Sequence, residues 1–293
     1  MTRLRIAFSE AATSFGGQEQ YIFRVMQGLR ELGHDVQAVC QPHAKLAGRL
    51  QEDGFTVHTL LTDGVVNYAK GVVRLRRLFA HQGFDVVNTN SRRDTMLVGV
   101  AARLAGVPLV VRSRHLAKRV GSLLSYTVVP HAVIACSHHV RNHLIDRGAD
   151  PSKVKVVYPG IDLVHWPEGS NLRNELKLAL NDLVIVCVAV MREQKGHRVL
   201  LDAVEPLIRA RPNVHLVLAG SGSPLMETLQ TLVEEKGLTR RVHFLGTRQD
   251  VAQILNGSDI FALATETEAT GTVFLEAQAS GLPVVGTRVG GVP

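Results

Sequence analysis

The chain has 293 residues, 45% of them hydrophobic and 20% charged, which supplies two ordinary globular cores and is far too apolar for a disordered chain. Its formal charge of +7 is lopsided: residues 1–165 carry 21 Lys and Arg against 12 Asp and Glu, whereas residues 166–293 carry 12 against 14. Such a basic half suits nucleic acid, an anionic membrane face or a phosphorylated substrate, but aromatics are only 5% and no aromatic-interleaved basic motif occurs, which argues against nucleic acid.

Residues 1–10 hold too brief an apolar stretch for a signal peptide, and the longest apolar run, 183–191, is half of what a membrane helix needs. A cytoplasmic location is therefore expected. Cys40, Cys136 and Cys187 are odd in number, far apart and set in or beside apolar runs, so they read as reduced core residues rather than metal ligands.

Short apolar runs alternate with amphipathic stretches, the pattern of an α/β fold with a parallel sheet and helices on both faces. In the first half the strands are expected at 4–8, 36–40, 57–60, 86–89, 109–111, 133–136 and 154–157. Tyr21, Val25, Met26, Leu29 and Leu32 form one stripe of a helix that Gly33 stops. Ser137 stands where a helix N-cap is needed. The turn-rich stretch from Pro159 to Ser170 marks a boundary between a domain of residues 1–166 and one of residues 167–293. The second half repeats the scheme, with strands at 183–191, 214–219, 242–245, 260–264 and 283–286 and helices near 197–211, 223–237, 250–256 and 272–280. The chain stops just after a strand, so the second domain is expected to be cut short.

Gly16 and Gly17, with Glu19 close behind, lie between the first strand and the first helix, where glycine lets the backbone approach a ligand and free N–H groups attract phosphate or sugar oxygens. Glu268 and Glu276 stand eight apart, the first in a loop and the second about one turn into a helix. Gly271, Thr272 and Val273 open that helix, and its dipole and bare amides favour a pyrophosphate. Lys195-Gly196 follows a strand, and a cation there neutralises a departing diphosphate.

In these residues the sequence resembles the retaining glycosyltransferases of family 4, across the whole chain. The Glu268-x7-Glu276 element continues as Ala-Gln-Ala-Ser-Gly-Leu-Pro-Val, close to the family's Glu-Ala-x-Ala-x-Gly-x-Pro-Val. The resemblance implies the GT-B fold, two facing Rossmann-like domains with a cleft that closes for transfer. It implies that Glu268 contacts the donor sugar, Glu276 the nucleotide ribose and Lys195 the phosphates. Where the family commonly has Gly-Arg-Leu, this chain has Ala189-Val190-Met191-Arg192, which makes Arg192 a substitute cation. His115, in Arg112-Ser-Arg-His115, resembles the family histidine that approaches the donor sugar. Gly220 and Gly222 match a glycine pair lining the nucleotide pocket, and Gly246-Thr-Arg248 lies where the base is read by backbone groups.

The expected activity is transfer of a hexose-type sugar from a nucleotide-diphosphate donor to a glycan or lipid-linked acceptor, with retention of configuration, in cell-envelope polysaccharide or lipopolysaccharide synthesis. No cofactor is expected besides the nucleotide sugar, which is the donor substrate. The chain contains no Asp-x-Asp pair, which favours metal-free stabilisation of the leaving group. The amphipathic stretch 70–79, with Lys70, Arg74, Arg76 and Arg77, together with Arg114, Lys118 and Arg119, suits a peripheral contact with an anionic membrane surface. The rival readings are a non-catalytic sugar-nucleotide-binding remnant and a sugar-nucleotide epimerase of the same fold.

Overall fold

The computed structural model describes residues 2–60, 65–118, 120–163 and 166–293, and the chain divides into two compact units, Met1–Pro159 and Gly160–Pro293. Arg119 lies outside the described residues.

In the first unit, β1 (Arg5–Glu10), β2 (Asp35–Cys40), β3 (Thr56–Thr59), β4 (Val86–Thr89), β5 (Leu109–Arg114), β6 (Ala132–Ala135) and β7 (Val154–Val156) form one sheet in the order β3-β2-β1-β4-β5-β6-β7. Every neighbouring pair is parallel. The middles of the strands are largely apolar on both faces because helices cover both sides of the sheet, while polar residues gather at the strand ends. Along β1, Ile6 and Phe8 join Ile22, Phe23 and Met26 of the helix Gly17–Glu31 on one side. Ala7 joins Leu75 and Phe79 of the helix Val65–Gln82 on the other, as the two-residue period of a strand requires.

In the second unit, β8 (Leu183–Val188), β9 (Val214–Ala219), β10 (Val242–Gly246), β11 (Ile260–Leu263) and β12 (Val284–Gly286) are parallel in the order β10-β9-β8-β11-β12. Val184, Val186, Leu216 and Leu218 pack with Leu200, Leu201 and Val204 of the helix His197–Ala210 and with Leu229 and Val233 of the helix Leu225–Glu235. Trp166, whose Nε1 donates to Ser280 Oγ at 3.1 Å, fastens the entering chain to this unit.

Each sheet reverses its strand order once, between β1 and β4 and between β8 and β11. At such a reversal the connections run to opposite faces and leave an open crevice at the carboxyl ends of the two strands. The segments that follow β1, β8 and β11 carry most of the residues singled out from the sequence.

Most strands end within a residue of expectation, but three differ by more, β1 running on to Glu10 rather than stopping at Phe8. β5 continues to Arg114, because Arg112 and Arg114 keep register with Val133 and Ala135 of β6; Arg112, expected in a loop, is buried at 2% exposure. β8 stops at Val188, and residues 189–191 run instead against the loop after β9, Met191 N donating to Ser221 O at 3.0 Å. Cys40, Cys136 and Cys187 are buried and outside any disulfide, as expected. Among the described residues no helix is long and apolar enough to cross a membrane.

Candidate functional site

At the reversal of the second sheet, the loop after β8 and the loop after β11 are stitched together. Thr265 Oγ1 donates to Gln194 O at 3.0 Å, and Glu266 N donates to the same carbonyl at 2.8 Å. Gly196 has φ +65°, and a Cβ there would fall 1.8 Å from the Ala264 carbonyl oxygen, so only glycine permits this approach. Lys195, one residue earlier, extends Nζ to Glu268 Oε2 at 2.5 Å. The pair is largely shielded, its side chains 28% and 14% exposed.

Glu268 is in turn held by glycines. Gly271, at φ +74°, is the N-cap of the helix Thr272–Ala279 and leaves only 3.1 Å between a Cβ in its place and Glu268 Cγ. Gly291 N donates to Glu268 O at 3.0 Å, and a Cβ on Gly290 would fall 2.1 Å from that oxygen. Thr272 and Val273 begin the helix, so their amides are among those without an intrahelical acceptor. Glu276 is half-buried in the second turn of the same helix. The two glutamates thus belong to one loop-helix element, as their spacing implies.

The glycines after β9 act by close approach. A Cβ on Gly220 would lie 1.9 Å from Ala189 O, and one on Gly222 2.2 Å from Met191 O; Gly220 N donates to Gly246 O at 2.7 Å. Arg192 is exposed at the start of the short turn that carries Lys195. Arg248 is already occupied: its guanidinium binds Glu175 at 2.6 and 3.1 Å and Asp250 at 2.8 and 2.6 Å, and these partners hold its proton well above the ordinary arginine range.

The first unit gathers a different chemistry at its reversal. Glu10 closes β1 at 2% exposure and accepts from Ala12 N at 2.9 Å and from the Gln18 amide. Asp94, also 2% exposed, accepts from Ser9 Oγ (2.9 Å), Asn90 N (2.8 Å), Ser91 N (2.7 Å) and Ser91 Oγ (2.8 Å). Burial, and next the charge of Asp94, push the Glu10 carboxyl up to about 7; burial raises Asp94 as well. Glu19 is spent on structure, since its Oε2 accepts from Gly16 N at 2.7 Å, the return half of a capping box, at the start of the helix Gly17–Glu31. Gly17 has open space where a Cβ would stand.

His115 follows β5 directly. Its Nε2 meets Asn90 Oδ1 at 2.9 Å, and its ring lies 4.9 Å from that of Tyr21. Asn90 donates its own amide to Ser9 O at 3.0 Å, so Oδ1 faces the imidazole, Nε2 carries the proton and Nδ1 is left as an acceptor. Burial, with Arg112 and Arg114 adding positive charge, pushes His115 down to about 3. It is therefore neutral throughout the physiological range.

Glu10, Gln18, Asn90 and Asp94 escaped the motif search. Glu10 gave a signal nonetheless, as a carboxylate ending an apolar strand, and Ser91-x-x-Asp94 has the spacing of a capping box. Among the described residues no group of three or more His, Cys, Asp or Glu side chains is placed to hold a metal ion.

The family model described as Glycosyltransferase Family 4 matches residues 15–165, and the one described as Glycosyl transferases group 1 matches residues 182–293. The UDP-Gal:alpha-D-GlcNAc-diphosphoundecaprenol alpha-1,3-galactosyltransferase of Escherichia coli is 26% identical over 99% of this chain and 81% of its own length. The D-inositol 3-phosphate glycosyltransferase of Corynebacterium efficiens is 36% identical over 50% of this chain and 37% of its own length. Among solved structures, a glycosyltransferase from Rickettsia africae superposes with a TM-score of 0.90 at 20% identity, over 100% of this chain and 81% of that one. HepE of Anabaena, crystallised with UDP and glucose, superposes at 0.83 and 22% identity, over 99% and 82%. Both units have the parallel-sheet architecture of these GT-B structures. With the family model covering more than half of its length, the chain belongs to the family 4 glycosyltransferases.

Proposed function

We propose that the chain is a retaining hexosyltransferase: residues 167–293 hold a nucleotide-diphosphate sugar, and residues 1–166 hold a glycan or lipid-linked acceptor. The observation that carries this reading is the Lys195–Glu268 pair at 2.5 Å, next to the bare amides of Gly271, Thr272 and Val273. In the reaction the bond from the anomeric carbon to the diphosphate breaks and negative charge gathers on the phosphate. Lys195 and the helix amides stabilise that charge where it develops. Glu268 orients the lysine and binds a sugar hydroxyl, while Glu276 takes the ribose hydroxyls. The acceptor oxygen bonds to the anomeric carbon on the face the phosphate leaves, and its proton passes to the departing phosphate oxygen. With cationic and dipolar stabilisation in place, the reading assigns no metal ion to the step.

The relatives support a UDP-hexose donor, since HepE was crystallised with UDP-glucose and the Escherichia coli enzyme is named for UDP-Gal. The names of the matched enzymes also include a diphosphoundecaprenol and an inositol phosphate, which fits a phosphorylated acceptor and a role in envelope polysaccharide or lipopolysaccharide synthesis. The exposed residues Val73, Arg74, Arg76 and Arg77 on the helix Val65–Gln82 suit docking on the anionic inner face of a membrane.

The test is calorimetric titration with UDP, GDP and ADP and their sugars, followed by turnover with EDTA present. One nucleotide diphosphate is expected to bind; Glu276→Ala weakens the nucleotide, Glu268→Ala removes the preference for the sugar nucleotide over the bare nucleotide, and Lys195→Met lowers turnover about a hundredfold or more. Absence of binding by any nucleotide diphosphate would end this reading, and inversion at the product's anomeric carbon would end the retaining step.

A further inference from the structure

β5 sets Arg112 and Arg114 on one face, two residues apart. Arg112 is 2% exposed, and its Nη1 donates to Thr89 O at 3.2 Å and Ser113 O at 2.5 Å. Arg114 donates through Nη2 to the Lys118 carbonyl. Both guanidinium groups also reach one neutral oxygen, the Tyr126 hydroxyl, at 3.5 and 3.0 Å, with their central carbons 5.3 and 5.8 Å from the centre of its ring.

Among the described residues no carboxylate lies within 4.0 Å of either arginine. The Nε atoms of both are buried without a hydrogen-bond partner. The Asp94 carboxylate feels the charge of Arg112, but its hydrogen bonds go to Ser9, Asn90 and Ser91. Two other half-buried arginines are closed by acids: Arg173 binds Asp259 at 2.7 Å, and Arg248 binds Glu175 and Asp250 at 2.6 Å each. Two cations converging on one hydroxyl, one of them buried and the other half-buried, repel each other, and an anion beside them reduces that cost.

We propose that Arg114, reinforced by the buried charge of Arg112 and flanked by the exposed Lys118, binds a phosphate oxyanion on the molecule that accepts the sugar. The proposal rests on the reading that the first unit takes the acceptor. Of the five N–H groups of Arg114, the described contacts use two, which leaves donors in the planar fork that matches paired phosphate oxygens. The position suits that role: Arg114 closes β5 and immediately precedes His115, which bonds Asn90 from the loop after β4.

The experiment titrates inorganic phosphate into the full chain already saturated with UDP, so that a diphosphate pocket in the second unit is filled. Wild type is expected to bind phosphate, and Arg114→Gln to bind it about tenfold or more weakly, with UDP affinity unchanged. Equal binding by the two proteins, or none by wild type, overturns the proposal. Should Arg114→Gln fail to fold, Arg114→Lys is read in its place: weakened phosphate binding supports the site and undiminished binding overturns it. Vesicles of phosphatidylglycerol and of phosphatidylcholine separate the sources of the oxyanion. Loss of phosphate binding with vesicle binding intact supports the acceptor, whereas joint loss assigns the site to a lipid headgroup and overturns the acceptor assignment. If UDP itself does not bind, the donor reading fails, and the phosphate titration is run on Lys195→Met, where a dependence on Arg114 still decides this proposal.

Discussion

Glu10 and Lys195 mark the ends of an electrostatic contrast. Lys195 has a carboxylate partner at 2.5 Å, whereas Glu10 has amide donors and two acidic neighbours, Asp94 and Glu19, that raise its pKa. A carboxyl moved from 4.5 to about 7 costs about 3 kcal/mol of folding stability once both states are ionised, at 1.36 kcal/mol per pH unit. Because the folded pKa is the higher one, that cost is absent below the unfolded value and grows as the pH rises through 7. Glu10→Gln keeps an acceptor for Ala12 N and removes the charge, so it is expected to stabilise the protein at pH 8 and to change little near pH 4. Urea melts at the two pH values check this, and equal effects at both would contradict it. The site residues read from the sequence were those whose chemistry is announced by neighbours: Lys195 by Gly196, and Glu268 and Glu276 by their spacing. Glu10, Asn90 and Asp94 were invisible as a group because β1 and β4, far apart in the chain, bring them together only through the sheet order.

At the scale of an element, the strands and helices were legible wherever apolar period and caps agreed. Ser137 caps the helix His138–Asp146 through Val140 N at 3.3 Å, and Ser137→Ala is expected to cost about 1 kcal/mol in a thermal melt. Strand ends were less legible, since β5 carries Arg112 into the interior and polar residues ordinarily signal a loop. Glycines give a sharper test. Gly196 and Gly237 have nearly equal dihedrals, φ +65° and +69°, but a Cβ on Gly237 meets nothing within 4 Å whereas one on Gly196 meets the Ala264 carbonyl at 1.8 Å. Gly237→Ala is expected to cost about 1–2 kcal/mol, the intrinsic penalty of a left-handed backbone. Gly196→Ala should cost more and weaken nucleotide binding too, because it pushes apart the loops that join Lys195 to Glu268. Matching losses in the two variants would remove the close approach from the account of the site.

Across the whole molecule, His115 in the first unit and His197, His215 and His243 in the second all titrate below the ordinary 6.5 because burial disfavours their charged forms. The unfolded chain takes up these protons near 6.5, so stability from the neutral imidazoles is complete above that pH and declines as the pH falls towards the folded values. The raised carboxyl of Glu10 opposes this, its cost building between 4.5 and about 7 and levelling off above, but four imidazoles outweigh one carboxyl and stability is expected to fall from pH 6.5 to pH 5. A melting temperature that rises steadily from pH 6.5 to pH 5 would show that other groups dominate. The α/β class and the double repeat were open to sequence reading because buried parallel strands need long apolar runs; the order of strands was not, since pairing partners leave no local trace. That order bears on how such a chain diverges. A crevice made by the path of the backbone survives replacement of the side chains that line it, so the loops after β4 and β5 can be rewritten without disturbing a single ladder bond. If the proposed division of reactants between the two sheets holds, recognition of one can drift across generations while the handling of the other stays as it was.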